Sequence, residues 1–245
     1  MRPKFFELNK IYILLVSFLI CTKTFSQNGL ANVNGSFGDF GQYSMHPLTS
    51  GYSINSFNTI DNTRGRRYLF DEWVRGSVVN KAGKLINSEE YYFNFDKVNN
   101  NLLVTKDKKE IIEVNKESIK EIQLLEKDVE YDLVKEEKIT PFRFVEILVK
   151  NENVSVYKTI NTRLVKANFT TNGLTESGNP YDEYVDAPTY FIGYKGEFRP
   201  VSLKFSSMKK SLPEESKKVK QFYADHLNDE VDEVYLKNLV IFLNQ

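Results

Sequence analysis

The sequence predicts a mainly β (α+β) protein: an antiparallel meander forming a strongly curved sheet or incomplete barrel, with two or three C-terminal helices and an extended N-terminal arm. Three features predict it. From Tyr68 to Phe205, segments rich in β-branched and aromatic residues recur about every eight to twelve residues. Hairpin-length polar turns separate them. Beyond Phe205 the apolar spacing changes to that of amphipathic helices.

Residues 1–26 carry the three parts of a secretory signal peptide. Arg2, Lys4 and Lys10 are the basic region, and Ile11 to Ile20 the apolar one. Thr24 and Ser26 place small residues at −3 and −1, so cleavage is expected after Ser26, with Gln27 as the new first residue. Ten apolar residues rise about 15 Å as a helix, half of a hydrocarbon core, which argues against a membrane anchor. The alternative is lipoprotein processing at Cys21, the single cysteine; Ile20 directly before it is large where a small residue is expected. The protein is therefore expected in the periplasm or on the periplasmic face of the outer membrane. Cleavage after Ser26 discards Cys21, and with it disulfide, thiolate-ligand and cysteine-nucleophile chemistry.

Removing the signal leaves 29 basic against 32 acidic residues, a net charge of −3. That balance gives no electrostatic reason to expect nucleic-acid binding. Residues 27–66 form a Gly/Ser/Asn-rich arm holding six of the twelve glycines, without a sustained period of 2 or 3.6. Phe37, Phe40, Tyr43, Tyr52 and Phe57 recur within it. Either they pack over the main domain, or the arm orders on a partner and these aromatics carry the contact.

A β domain is expected over 67–205. Trp73 to Val79 reads as a strand closed by the turn Asn80 to Lys84. Leu85 to Phe95 ends in the alternation Tyr91, Phe93, Phe95; Leu102 to Val104, Ile111 to Val114 and Ile119 to Leu125 follow at hairpin spacing. Phe142 to Val149, Val154 to Ile160 and Leu164 to Phe169 continue the series. The longest break, Thr170 to Pro188, contains Tyr181, Asp182, Tyr184 and Asp186, an acidic–aromatic loop. It would bind a sugar, a cation or a basic partner loop, or be a solvated loop with its tyrosines on the sheet; its acid spacing does not match an EF-hand. Thr189 to Tyr194 and Phe198 to Leu203 flank the hairpin turn Lys195-Gly196-Glu197.

Residues 206–245 read as helices packed on the β domain. Ser207 to Leu212 is one short turn. Pro213 opens a helix with Glu214 and Glu215 in its first turn, where negative charge suits the dipole. Asn228 or Asp229 caps the last helix, whose stripe is Val231, Val234, Tyr235, Leu239, Phe242 and Leu243. This pair covers the sheet, or it docks another protein.

Trp73-x-x-Gly76-x-Val78, a turn glycine, Tyr92, Phe93 and the adjacent Asn94-Phe95-Asp96, Asn101-Leu102, and the Lys-rich turn Lys209-Lys210-Ser211-Leu212-Pro213 before paired helices form a pattern over about residues 68–245. It resembles a broad group of exported β-rich proteins of Bacteroidota with no assigned activity. The resemblance implies location and fold and carries no chemistry.

The two histidines, His46 and His226, have no His or Cys at ligand spacing, and catalytic zinc sites commonly need three protein ligands. There is no G-x-S-x-G elbow and no phosphate-binding glycine loop. Glu89-Glu90, Glu136-Glu137 and Glu214-Glu215 fall where solvated charge is ordinary. No cofactor is expected. The reading is a non-enzymatic interaction protein, an accessory subunit of a cell-envelope assembly partnered by another envelope protein. The alternatives are a carrier of a small apolar ligand within the curved sheet and an unrecognised hydrolase.

Overall fold

The computed structural model describes residues 62–87, 89–109 and 111–245. Its strands are β1 (Thr63–Arg64), β2 (Arg75–Asn80), β3 (Leu85–Asn87), β4 (Tyr92–Asp96), β5 (Asn101–Thr105), β6 (Ile112–Glu113), β7 (Ile119–Glu126), β8 (Val129–Lys135), β9 (Phe144–Val149), β10 (Val154–Thr159), β11 (Thr162–Val165), β12 (Thr170–Thr171), β13 (Glu176–Ser177), β14 (Asp182–Asp186), β15 (Thr189–Tyr194) and β16 (Glu197–Val201). Three helices close the chain: α1 (Phe205–Ser211), α2 (Ser216–Asp225) and α3 (Glu233–Leu243). No helix among the described residues is long and apolar enough to cross a membrane.

Eight strands form one antiparallel sheet in the order β16-β15-β10-β9-β8-β7-β2-β3. This corrects the expected strongly curved sheet or incomplete barrel: none of the described sheets is closed or strongly curled. The reason lies in the register. Ile86, Val78, Ile122, Leu133, Glu146, Lys158, Tyr190 and Val201 are successive directly opposed partners, one on each strand, so they share one face. That face is buried by two separate covers, so the sheet has no need to roll up on itself.

The first cover is a second sheet, β4-β5-β6, where the sequence pattern predicts one continuous meander. Its Phe93, Phe95, Leu102 and Val104 pack with Phe70 and Tyr91 against Val78, Ile86, Ile122, Leu124 and Leu133. The second cover is helical. Met208, Leu212, Val219, Phe222, Leu236, Leu239 and Val240 pack against Val154, Val156, Ile192 and Val201. Two main-sheet strands are clamped by asparagine amides from these covers. Asn100 accepts from the Phe144 N–H (2.6 Å) and donates to its carbonyl (3.2 Å). Asn244, at the end of α3, does the same to Val154 (3.1 and 3.0 Å). Each closes a pair of backbone bonds that would otherwise be buried without partners.

The helix starts differ from expectation. α2 begins at Ser216, so Glu214 and Glu215 precede it. Both accept from the Tyr194 hydroxyl, and Glu214 also pairs with Lys195, which draws the glutamates toward the β15–β16 turn. The last helix is capped by Asp232, whose side chain accepts from the Tyr235 N–H, and by neither Asn228 nor Asp229.

Gly76 in β2 tests this packing. A Cβ there would lie 2.2 Å from the Gln123 carbonyl oxygen of β7. Gly76→Ala is expected to push β2 from β7 and cost about 1–3 kcal/mol in denaturant unfolding, with a lowered melting temperature.

Candidate interaction hairpin and the polar seam at its base

The acidic–aromatic segment is a strand. β14 pairs antiparallel with β11 and, on its other side, parallel with β1. Beyond that three-stranded sheet the two arms of β11 and β14 continue as β12 and β13, so residues 162–186 make one long hairpin. Every residue from 166 to 180 is exposed.

The hairpin holds its shape by internal polar contacts. Ala167 N–H donates to Asp182, and Asn168 N–H to the Asn179 carbonyl; the Asn168 side chain accepts from Asn179 N–H. Thr170 and Ser177 hydroxyls bond across the strands at 2.9 Å. At the tip, Asn172 Oδ1 accepts from the N–H groups of Leu174 and Thr175 and from the Thr175 hydroxyl. Gly178 has φ +84°, and a Cβ there would stand 2.3 Å from the Asn168 carbonyl oxygen. Leu174 crowns the tip at 95% exposure, with Phe169 43% exposed on the flank.

The base is charged and anchored. Asp186 receives both contacts of Lys97 Nζ (2.8 and 2.7 Å) and the Thr162 hydroxyl. Lys97 comes from the β4–β5 turn, and its side chain is only 7% exposed. Asp182 pairs with Lys166 at 2.7 Å. Tyr181 accepts from Arg64 at 2.8 Å, and the guanidinium of Arg64 stacks 3.7 Å from its ring centroid.

Beside this base is a cleft of about 170 Å³ where the two covers meet, lined by Lys97, Asp186, Arg66, Glu146, Lys158 and Glu233 with apolar Leu69, Tyr131 and Ile160. Lys158 bonds Glu146 at 2.8 Å and Glu233 of α3 at 3.2 Å, and Tyr190 donates to Glu233 at 3.0 Å. Burial pushes the Glu146 carboxyl above its usual range despite Lys158. Burial pushes the Lys158 ammonium down, but Glu146 and Glu233 outweigh it and its pKa is raised. Burial and the bond to Glu233 push Tyr190 up to about 12. The cationic and anionic groups of the cleft are mostly engaged with one another.

Of the residues singled out from sequence, the structure places Asp182 and Asp186 on β14 and Tyr181 directly before it as the hairpin's anchors, with Tyr184 on the same strand. Phe37, Phe40, Tyr43, Tyr52 and Phe57 lie outside the described residues, as do Cys21, Ser26 and Gln27. Sequence reasoning missed the Glu146–Lys158–Glu233 cluster and Leu174. The signal for the first was a glutamate in the middle of the apolar strand Phe144–Val149. Comparison with protein-family models, curated proteins and solved structures gives no match.

Lys158→Met leaves Glu146 buried without its cation, and is expected to cost about 3 kcal/mol at neutral pH. The loss should shrink as acid protonates Glu146, read as the pH dependence of unfolding. Asp186 behaves in the opposite sense. Burial raises its pKa, but Lys97 and Thr162 outweigh burial and the net is a lowered value. Its contribution is therefore present above the unfolded-state value of 3.8 and lost as the pH falls below it. Asp186→Asn should flatten that acid limb of the melting-temperature profile.

Proposed function

We propose that this chain is a non-enzymatic, exported interaction protein of the cell envelope, and that the hairpin 162–186 is the element that engages its protein partner. The observation that carries the reading is Leu174: a large apolar side chain 95% exposed at the tip of a hairpin tied by its own hydrogen bonds. An isolated two-stranded hairpin is marginal in water. Here β1 and Asp186 anchor the base, and Asn172 and Gly178 shape the tip. A tip ordered in advance spares a complex the entropy of ordering it.

The other two readings have less support. An apolar carrier needs an interior, and the buried face of the main sheet is packed with side chains of two cores. A hydrolase needs polar groups free to meet a substrate, and the acids and lysines of the cleft are paired with each other.

A photo-crosslinking amino acid in place of Leu174, introduced into producing cells, should yield a discrete adduct that the same residue in place of Asp128 does not. Equal adduct patterns at the two positions would sink the reading. With the captured partner purified, Leu174→Ala should weaken binding about ten-fold or more. Gly178→Ala should weaken it too while barely moving the main unfolding transition, since residues 166–180 are all exposed and, among the described residues, none of them belongs to either core.

A further inference from the structure

The helical cover carries a charged surface that shares no residue with the hairpin. Residues 204–220 contain Lys204, Lys209, Lys210, Lys217, Lys218 and Lys220 against Glu214 and Glu215, a local excess of four positive charges in a chain that is neutral as a whole. Lys209 is half-buried and the other five are exposed. Among the described residues none of the six pairs with a carboxylate, and the two glutamates are held by Tyr194 and Lys195.

The placement also runs against stability. Lys217 and Lys218 occupy the first turn of α2, which has no acidic residue there and no side-chain cap. A helix N-terminus carries partial positive charge, so cations in that turn are destabilising. Local rules broken on an exposed surface point to function.

We propose that the α1–α2 surface binds the anionic headgroups of a phospholipid membrane. All six cations are lysines. A lysine ammonium is a mobile point charge suited to many diffuse phosphates, whereas a defined carboxylate partner favours the planar fork of arginine. The stretch from the end of α2 to the start of α3 fixes an orientation: Asp225, Asp229, Glu230 and Asp232 are acids that the same surface repels. The lysines therefore face the headgroups and the acidic end faces away. This contact is independent of the hairpin, so either can fail without the other.

The test is co-sedimentation of the purified chain with vesicles of phosphatidylcholine alone and of phosphatidylcholine mixed with phosphatidylglycerol. Binding is expected only to the mixed vesicles, and to fall as salt shortens the screening length from about 10 Å to about 3 Å. Each lysine contributes about five-fold, so Lys217→Ala, Lys218→Ala and Lys220→Ala combined should weaken binding about 100-fold. The same triple variant should melt at an equal or higher temperature, because alanine favours helix and the charge clash at the N-terminus is gone. That readout separates lost binding from lost folding. Equal binding to both vesicles, an unaffected triple variant, or binding to soluble polyglutamate without vesicle binding each overturns the proposal; the last would mark an acidic protein partner.

Discussion

The arrangement of the molecule depends on one ion pair in an apolar row. Across eight strands, the row Ile86, Val78, Ile122, Leu133, Glu146, Lys158, Tyr190, Val201 is interrupted only at Glu146 and Lys158 before the amphipathic Tyr190. On one side the row is buried under the β4–β6 sheet, and on the other under the helices. A continuous apolar row would favour one cover spanning the whole face. A charged pair must keep hydrogen-bonding partners and some access to solvent, so the covers meet over it and leave a cleft. Glu233 then completes the arrangement by tying α3 to the same lysine.

Polar groups set geometry elsewhere as well. Asn94, fully buried in β4, accepts from the Phe70 N–H and donates to the carbonyls of Phe70 and Glu72, which fixes the incoming chain along the free edge of β4. Asn100 and Asn244 hold the two covers to β9 and β10. Apolar packing supplies most of the driving force but is indifferent to small slides; these amides choose among the slides, because a mismatched register would leave buried donors and acceptors unpaired.

Much of the strand pattern was legible in the sequence. The Lys195-Gly196 turn, with both residues at positive φ, falls between β15 and β16 as the glycine predicts. The segment around Phe93 and Phe95 reads as a strand and is one. What the sequence does not reveal is which strands are neighbours: β2 pairs with β7 across the inserted β4–β6 sheet, and local alternation is the same whether a strand continues a sheet or caps it. The start of α2 departs from the sequence signal: Pro213 followed by two acids is a good local helix start. Tertiary contacts to Tyr194 and Lys195 hold those acids, and the helix begins three residues later. Of the candidate site, the acids of β14 were visible as a cluster, but their role as anchors rather than ligands depends on Lys166, which holds Asp182, and on Lys97, distant in sequence, which holds Asp186.

The parallel pairing of β1 with β14 has a mechanical consequence. β14 runs from the hairpin tip toward the body, so β1, parallel to it, also enters the body from the tip side. A pull on the chain ahead of Asn62 and a pull on Leu174 therefore act in the same direction on adjacent strands, and the two loads do not shear β1 past β14. Both reach the body through the base of the hairpin, where Lys97 holds Asp186 and Ala187 N–H bonds the Asn161 carbonyl. A tether on one end and a grip on the other would load the same base region from the same side.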